Sequence, residues 1–289
     1  TDVPVPAALA SGTVVVAGGE TVPAASWRRF VAARADRGPL VVLVAEGDSW
    51  FDYRLAGLDI IDCLRRFYGR RIYNVAQAGD TLENMAWGGP CNSRRRRGEP
   101  PLIETLRAVR RYKPRAVLLS GGGNDIAGEA FNGFLNHRRS GLPPLREDFA
   151  EFVINHYLRS ALETIIGRIW QFDDSIRIVT HGYGYPVPDG RPVFRLLGLS
   201  FYGPWLRPAL IDKEYSDPAQ GERIVRRLID RFNDMLKKLT VQYGDKPFRY
   251  IDLRPIIRRD DWANELPLRN SACRRVAAAF DKAIVRDTR

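Results

Sequence analysis

The stretch VVLVAEGDSW, Val41 to Trp50, decides the fold that this sequence predicts. Its apolar, β-branched run is typical of a buried strand, and Gly47-Asp48-Ser49 follows where such a strand ends in a turn. Four further runs of this kind occur along the chain. The predicted strands are Leu40–Ala45, Ile72–Ala76, Ala116–Ser120, Ile176–Thr180 and Phe248–Leu253.

Amphipathic stretches separate these runs. They predict helices at Leu58–Phe67, Ile103–Tyr112, Glu147–Trp170, Glu222–Leu239 and Ser271–Ile284. Strands that alternate with helices are typical of a parallel sheet with crossover helices. The sequence therefore predicts an α/β fold, with a doubly wound, flavodoxin-like five-stranded parallel sheet and helices on both faces.

Two segments depart from this pattern. Residues 1–38 are rich in Ala, Val and Pro, and we expect an N-terminal extension packed on the core, with a strand at Thr13–Val16 and a short helix at Ser26–Ala35. Residues 39–289 then form the main domain. Within it, residues 183–218 are rich in Pro, Gly and aromatic residues, which predicts an irregular insertion over the carboxyl edge of the sheet.

The aromatic residues of this insertion allow two interpretations. Tyr183, Tyr185 and Trp205 either cover a bound substrate as a lid or form the core of the insertion itself. The sequence alone does not choose between the two roles.

The net charge of +11 comes mostly from arginine, with the densest run at Arg94–Arg97. Gly and Pro flank this run, so it is either a solvated loop or a contact for a polyanion. A polyanion-binding protein is therefore a third hypothesis for function, and it predicts a steep salt dependence of binding. No zinc-finger, basic-zipper or RNP pattern is present, and nucleic acid is an unlikely partner.

Cysteine is sparse, at Cys63, Cys91 and Cys273. These spacings match neither a zinc site nor a disulfide framework, so we expect free thiols and no metal. No apolar run has the length of a membrane span. The sequence starts at Thr1, which leaves a processed or trimmed amino terminus open, and cytoplasmic is the default expectation.

Three neighbouring strand ends carry residues suited to acyl transfer. Ser49 follows the first strand, Gly79 the second and Asn124 the third. Because the carboxyl ends of parallel strands meet at one edge of a sheet, we expect these residues to converge. A serine nucleophile needs donors aimed at the developing oxyanion, and two backbone N–H groups and an Asn amide are suitable donors. Taken singly, each motif is also explained by turn chemistry. Asp48 and Asp125 are the next candidates, either as a weak base beside the nucleophile or, as we expect, in turn or helix-cap roles.

The order of these motifs resembles the SGNH (GDSL-type) hydrolase superfamily over residues 40–284. The segments GDSWFDY, GDTLENM, SGGGNDI, NHRRSGLPPL, THGYGYP and GPWLRP resemble a bacterial branch of it. The resemblance implies the SGNH hydrolase fold, with Ser49 as nucleophile. It implies an oxyanion hole made of the Ser49 and Gly79 amides and the Asn124 side chain, and it implies no cofactor.

The sequence departs from the family in the segment DDWANELPLRN, Asp260 to Asn270. The family carries D-x-x-H before the last helix, and here Asn264 stands at the position of the Asp and Pro267 at the position of the catalytic His. Proline has no titratable group. His181 is the candidate substitute base, whereas His137 and His156 lie in or beside helical sequence and are expected to be structural.

Two main hypotheses follow. The first is an SGNH-type serine hydrolase that cleaves an ester or acetyl group of a small molecule or carbohydrate, weakened by the loss of its base. The second is a non-catalytic binding module that keeps the pocket. The oligomeric state is open.

Overall fold

The computed structural model describes residues 13–15, 21–23, 42–53, 57–89, 99–192, 194–196, 199–201 and 203–285. The chain divides into two compact units, Thr1–Val41 and Val42–Arg289. In the first unit, strand β1 (Thr13–Val15) pairs antiparallel with β2 (Thr21–Pro23). The strand predicted at Thr13–Val16 is thus present, and the helix predicted at Ser26–Ala35 lies outside the described residues.

The second unit contains the predicted parallel sheet. Its strands are β3 (Val42–Gly47), β4 (Arg71–Asn74), β5 (Ala116–Ser120), β6 (Arg177–His181) and β9 (Phe248–Ile251), and a separate hairpin is formed by β7 (Phe194–Leu196) and β8 (Leu199–Phe201). The five-stranded sheet has the order β4-β3-β5-β6-β9, and every neighbouring pair is parallel. The predicted fold class is confirmed.

Helices connect the strands. Their bounds are α1 Ile60–Tyr68, α2 Leu82–Trp87, α3 Pro101–Tyr112, α4 Gly123–Ile126, α5 Glu129–Gly133, α6 Glu147–Phe152, α7 Arg159–Trp170, α8 Arg207–Asp212, α9 Pro218–Tyr243 and α10 Asn270–Val285. The helix predicted at Glu147–Trp170 is continuous but contains a π-helical segment, Val153–Leu158, between α6 and α7.

Buried side chains alternate between two cores on the two faces of the sheet. Along β3, Val44 belongs to one core, whereas Leu43 and Ala45 belong to the other. Helices α3, α7 and α9 contribute to the first core, and α1 and α10 to the second. This alternation follows from the period of two along a strand, and it explains why the strand sequences are apolar on both faces.

The segment Tyr183–Pro218 is more ordered than the sequence predicts. It contains the β7–β8 hairpin and helix α8 instead of an irregular loop throughout. Pro208 lies in the first turn of α8. The N–H groups of a first turn have no intrahelical acceptor, so a proline there costs no hydrogen bond. Pro208 therefore marks the start of a helix. Among the described residues, no helix has the length and apolarity needed to cross a membrane.

A close approach between β6 and α9 gives the first testable prediction. A Cβ added at Gly182 would lie 1.9 Å from Oδ1 of Asn233, and that oxygen is held because it accepts a hydrogen bond from the Tyr250 hydroxyl at 2.6 Å. Gly182→Ala should therefore lower the free energy of unfolding by about 1–3 kcal/mol, measured by urea denaturation.

Gly167→Ala is the matched control, because an added Cβ meets no atom within 4 Å in α7. This change should raise the free energy of unfolding by about 0.5–1 kcal/mol, since alanine favours a helix over glycine. Equal effects of the two substitutions would contradict the predicted clash.

Candidate active site

The turn after β3 presents Ser49 at the carboxyl edge of the sheet. The N–H of Asp48 donates to the Ser120 carbonyl at 3.1 Å, and Oδ1 of Asp48 accepts from the Trp50 N–H at 3.0 Å. A Cβ on Gly47 would lie 2.7 Å from the Ser120 carbonyl oxygen, so this position requires glycine. The ends of β3 and β5 are thereby joined directly beneath Ser49.

The carboxylate of Asp48 is the centre of a buried polar network. Its side chain is 2% exposed, Oδ1 accepts from Ser120 Oγ at 2.7 Å, and Oδ2 accepts from the Tyr183 hydroxyl at 2.9 Å. The Tyr183 hydroxyl in turn accepts from the Gly123 N–H at 3.0 Å. The bond that Asp48 accepts from the Trp50 N–H is the turn role predicted for this residue. The other bonds of the network join the ends of β3, β5 and β6.

His181 lies inside this network, with both ring nitrogens occupied. Nε2 is 2.8 Å from Ser120 Oγ, Nδ1 is 2.9 Å from the Gly182 carbonyl, and the ring stacks on Trp50 with 5.0 Å between centroids. The imidazole is fully buried, and burial lowers its pKa. The geometry therefore gives His181 a structural role beneath Ser49 and leaves no ring nitrogen free to accept a proton from that hydroxyl.

A carbonyl oxygen only accepts, so Nδ1 of His181 carries the hydrogen that is donated to the Gly182 carbonyl. Nε2 is then the ring nitrogen in contact with the Ser120 hydroxyl.

Asn124 lies close to the loop that carries Gly79. Its Nδ2 donates to the carbonyl of Asp80 at 2.8 Å, which leaves one amide hydrogen for another acceptor. Gly79 is exposed, has φ of 87°, and a Cβ placed on it would meet no atom within 4 Å. The loops after β4 and β5 are therefore adjacent, and the backbone at Gly79 requires glycine.

Two cavities share Ser49 and Trp50. The first has an empty volume of about 570 Å³, includes Asn124 and Tyr183 in its wall, and is otherwise mainly apolar. The second has about 310 Å³ and includes Tyr53, Asp59, Pro267 and Cys273. Ser49 thus lies at the boundary between two spaces of different chemistry.

Pro267 closes a tight turn beside the second cavity. Its carbonyl accepts from the Ala263 N–H at 2.9 Å, and Trp262 and Leu268 form an isolated antiparallel bridge. Asn264 is buried, and its Oδ1 accepts from the Leu266 N–H at 3.3 Å. The structure therefore brings Pro267 and Ser49 to one cavity, while Asn264 holds the turn.

Glu265, in the same turn, is a residue that the sequence does not single out. Its buried carboxylate accepts four backbone N–H groups at 2.5–3.0 Å, from Gly190, Trp205, Leu206 and Arg207. Burial raises its pKa, and these hydrogen bonds oppose that shift. Glu265 therefore fixes the inserted segment against the turn that contains Pro267. Its nearest partner in sequence is 58 residues away, so no local pattern indicates this role.

The three aromatic residues predicted as a lid lie in different environments. Tyr183 is buried in the wall of the first cavity. The Tyr185 hydroxyl donates to Asp230 at 2.6 Å, and the Arg226 guanidinium lies 3.8 Å from its ring centroid. The Trp205 carbonyl accepts from the Gly128 N–H at 3.0 Å. Only Tyr183 of these three is among the lining residues of the first cavity, within the part of the chain that the structure describes.

Asp125 has the cap role that was predicted for it. Its oxygens accept the N–H groups of Leu82 and Glu83, at 2.9 and 3.4 Å, at the start of α2. Burial raises its pKa to about 6. The carboxylate thus joins the loop after β5 to the helix that follows Gly79.

The remaining predicted residues lie apart from Ser49 or are chemically inert. His137 Nδ1 accepts from the Arg139 N–H, and His156 stacks on Phe152. Cys63 and Cys273 are free and buried, and burial raises the pKa of Cys273 to about 12, so its thiol is protonated at neutral pH. Among the described residues, no group of three or more His, Cys, Asp or Glu could hold a metal ion. The run Arg94–Arg97 lies outside the described residues.

Glu265→Gln tests the anchoring of the inserted segment. Each carboxylate oxygen accepts two N–H groups, so either orientation of a Gln amide would place its NH₂ against two donors. We expect a loss of about 1–3 kcal/mol in the free energy of unfolding, with faster amide hydrogen exchange at residues 205–207. Glu222→Gln, which removes an exposed pair with Arg259, should change stability by less than about 1 kcal/mol.

Asp125→Asn tests the pH dependence of stability. The folded-state pKa of Asp125 is raised to about 6, so between roughly pH 4 and 6 the unfolded chain releases a proton that the folded chain keeps. Stability from this group is fully present below about pH 4 and is lost as the pH rises through about 6. Asp125→Asn should therefore flatten the fall of the melting temperature across this window.

Asp173→Asn is the control for that experiment. Hydrogen bonds from Ser175 lower the pKa of the exposed Asp173, so its contribution changes only below about pH 4. An Asp125→Asn profile parallel to that of the unmodified chain between pH 4 and 6 would show that Asp125 does not titrate there.

No protein-family model and no curated protein matches the sequence. Among solved structures, a Clostridium thermocellum family 3 carbohydrate esterase is 12% identical, with a TM-score of 0.45 over 84% of this chain and 94% of that chain. An extracellular lipase from Streptomyces rimosus is 14% identical, with a TM-score of 0.49 over 84% and 99%.

A lipase from a goat rumen metagenome is 12% identical, with a TM-score of 0.49 over 84% of this chain and 97% of that chain. By name, these three structures are one carbohydrate esterase and two lipases.

Proposed function

We propose that this chain is an SGNH-type serine hydrolase that cleaves an ester of a small molecule and in which Pro267 has replaced the general base. The observation that carries the proposal is the position of Ser49 in the wall shared by two cavities. Asn124 lines the first and Pro267 the second. A nucleophile between a candidate oxyanion donor and the expected place of the base is the arrangement that acyl transfer requires.

In this proposal, Ser49 Oγ attacks the ester carbonyl and an acyl-enzyme forms as the alcohol leaves. The free hydrogen of the Asn124 amide and the backbone N–H groups of Ser49 and Gly79 stabilise the oxyanion. Water then releases the acyl group. A base at position 267 would take the Ser49 proton and give it to the leaving oxygen, and proline can do neither.

Two of the other ionisable groups near Ser49 are unavailable as a base, because both nitrogens of His181 are engaged and the Cys273 thiol is protonated. The Asp59 carboxyl lines the second cavity, and each of its oxygens accepts one N–H group, from Asp62 and Tyr53. Catalysis in serine hydrolases that lack a triad member remains about 10³–10⁴ above the reaction in water, so slow turnover is expected.

The proline at position 267 favours a second candidate function, a binding module that recognises an ester without cleaving it. The two candidates differ in the reactivity of Ser49. A nucleophile without a base should react very slowly with a fluorophosphonate probe, so both candidates predict slow labelling of the unmodified chain. They differ in whether a histidine at position 267 speeds the labelling of Ser49, which only the hydrolase predicts.

Pro267→His is the central test of the proposed function. A base beside Ser49 should raise kcat/KM for p-nitrophenyl acetate by about 10²–10⁴-fold, because that is the usual contribution of general acid–base catalysis. Hydrolysis is followed by p-nitrophenolate absorbance. Ser49→Ala in the Pro267→His background should remove the gain.

Two outcomes would change the assignment. If the unmodified chain already equals Pro267→His and depends on Ser49, another group is the base, and Asp59→Asn is the first variant to examine. If a folded Pro267→His chain neither hydrolyses the ester nor reacts with the probe, the hydrolase proposal is wrong and the binding module gains support.

A further inference from the structure

The wall of the second cavity contains one charged side chain, that of Asp59, within the part of the chain that the structure describes. Asp59 is 8% exposed. Burial raises its pKa to about 6, so the carboxylate is negatively charged at neutral pH. Burying a charge is costly unless the charge is paired and hydrogen-bonded. The second cavity therefore holds a negative charge that needs partners.

The hydrogen-bond partners of Asp59 are neutral. Oδ1 accepts from the Asp62 N–H at 2.7 Å, and Oδ2 accepts from the Tyr53 N–H at 3.1 Å. The charge of Arg65 lowers the pKa of Asp59, but its guanidinium donates to the Ile72 carbonyl at 2.9 Å. Among the described residues, Asp59 forms no ion pair. Each carboxylate oxygen accepts two hydrogen bonds, so each keeps one position for a ligand.

Helix α1 compensates only part of the charge. Asp59 caps the amino terminus of this helix, and a helix carries about half of a positive elementary charge at that end. The carboxylate carries a full negative charge. The balance at this end of the cavity is therefore negative, and it favours a cation over an anion.

The other side chains of the cavity suit an ammonium group that carries carbon substituents. Trp50 and Tyr53 are aromatic, and Leu58 and Leu268 are aliphatic. Aromatic rings attract cations, and apolar side chains gain from contact with methyl and methylene groups. A neutral ligand would leave the charge of Asp59 without a counterion, and an anionic ligand would be repelled.

The second cavity lies on the side from which the alcohol of an ester would leave Ser49. The Trp50 carbonyl accepts from the Ile60 N–H at 3.1 Å, which holds the start of α1 against the turn that carries Ser49. Pro267 lines the same cavity. In acyl transfer, the base that takes the serine proton returns it to the leaving oxygen, so the alcohol departs on the side of the base. A group bound by Asp59 therefore belongs to the alcohol.

We propose that the second cavity binds an ammonium group through the Asp59 carboxylate, and that the substrate is an ester of an amino alcohol. The ammonium N–H donates to the open position of a carboxylate oxygen. The assignment to the ester rests on the proposed function, because position 267 orients the substrate, whereas the ammonium site does not depend on hydrolysis. Asp59 is then a specificity residue and takes no part in proton transfer.

Two alcohols of the same shape test the ammonium site without catalysis. 2-(Dimethylamino)ethanol is a cation at neutral pH, and 3-methyl-1-butanol replaces its charged nitrogen by carbon. In titration calorimetry with the unmodified chain, the amino alcohol should bind at least about tenfold more tightly, because a hydrogen bond to a charged group is a strong one. Equal affinity for the two alcohols would overturn the inference.

Asp59→Asn and Asp62→Asn form a matched pair on the same turn of α1. Asparagine caps a helix as well as aspartate does, so Asp59→Asn removes the charge and keeps the cap. It should reduce the preference for the amino alcohol to less than about twofold. Asp62 is not among the residues that line this cavity in the described ranges, so Asp62→Asn should leave the preference in place.

Leu268→Lys is the second variant if Asp59→Asn does not fold by circular dichroism. Leu268 lines the cavity, and a lysine there supplies a tethered ammonium group that should abolish binding of the amino alcohol. A preference that survives in either folded variant would overturn the inference. An equal loss in Asp62→Asn would also overturn it, because net charge and not contact with Asp59 would then set the affinity.

Ester hydrolysis by the Pro267→His chain separates this inference from the proposed function. The substrates are the acetates of the two alcohols, and the acid released is titrated at constant pH. Adding Asp59→Asn should lower the ratio of kcat/KM, amino ester over neutral ester, by at least about tenfold. The intrinsic reactivities of the two esters cancel in this comparison. Loss of a general base would instead slow both esters alike and leave the ratio unchanged.

The remaining outcomes are distinct. Hydrolysis that depends on Ser49, with a ratio that Asp59→Asn does not change, keeps the proposed function and overturns the inference. Binding of the amino alcohol that depends on Asp59, by a folded Pro267→His chain that hydrolyses neither ester, contradicts the proposed function. That result keeps the ammonium site and overturns its assignment to the alcohol of an ester.

Discussion

The arrangement around Ser49 depends on one buried carboxylate. Removing Asp48 from water is costly unless its oxygens are hydrogen-bonded, and here Trp50, Ser120 and Tyr183 supply the donors. These donors come from the ends of three parallel strands. The hydrogen bonds of one buried carboxyl group therefore join the ends of β3, β5 and β6, and the position of Ser49 follows because it is the next residue in the chain.

The same network explains why His181, the last residue of β6, is unavailable as a base for Ser49. His181 completes the hydrogen bonds of Ser120 and of the Gly182 carbonyl and stacks on Trp50. Freeing Nε2 would leave the buried Ser120 hydroxyl without its imidazole partner. A base for Ser49 therefore has to come from a different element, and position 267 is on the turn that reaches the second cavity.

The sequence predicts the sheet well because its signals are local. Apolar strands and amphipathic helices have their own periods, and Gly79 marks a turn whose positive φ favours glycine. The roles of Glu265 and His181 are not local. Glu265 binds N–H groups 58 or more residues away, and His181 is paired with a serine 61 residues away, so their functions emerge only when the sheet and the inserted segment meet. The sequence does not predict the β7–β8 hairpin, because each of its strands is only three residues long.

In the proposed hydrolase, recognition and turnover are carried by different parts of the site. The apolar wall of the first cavity includes residues of α9 and of the segment after β5 that also belong to the first core. Pro267, at the expected position of the base, lies in the turn that Glu265 and the Trp262–Leu268 bridge hold. A proline in place of the base therefore leaves the residues of that wall unchanged, and slow hydrolysis would not by itself show that ester binding has been lost.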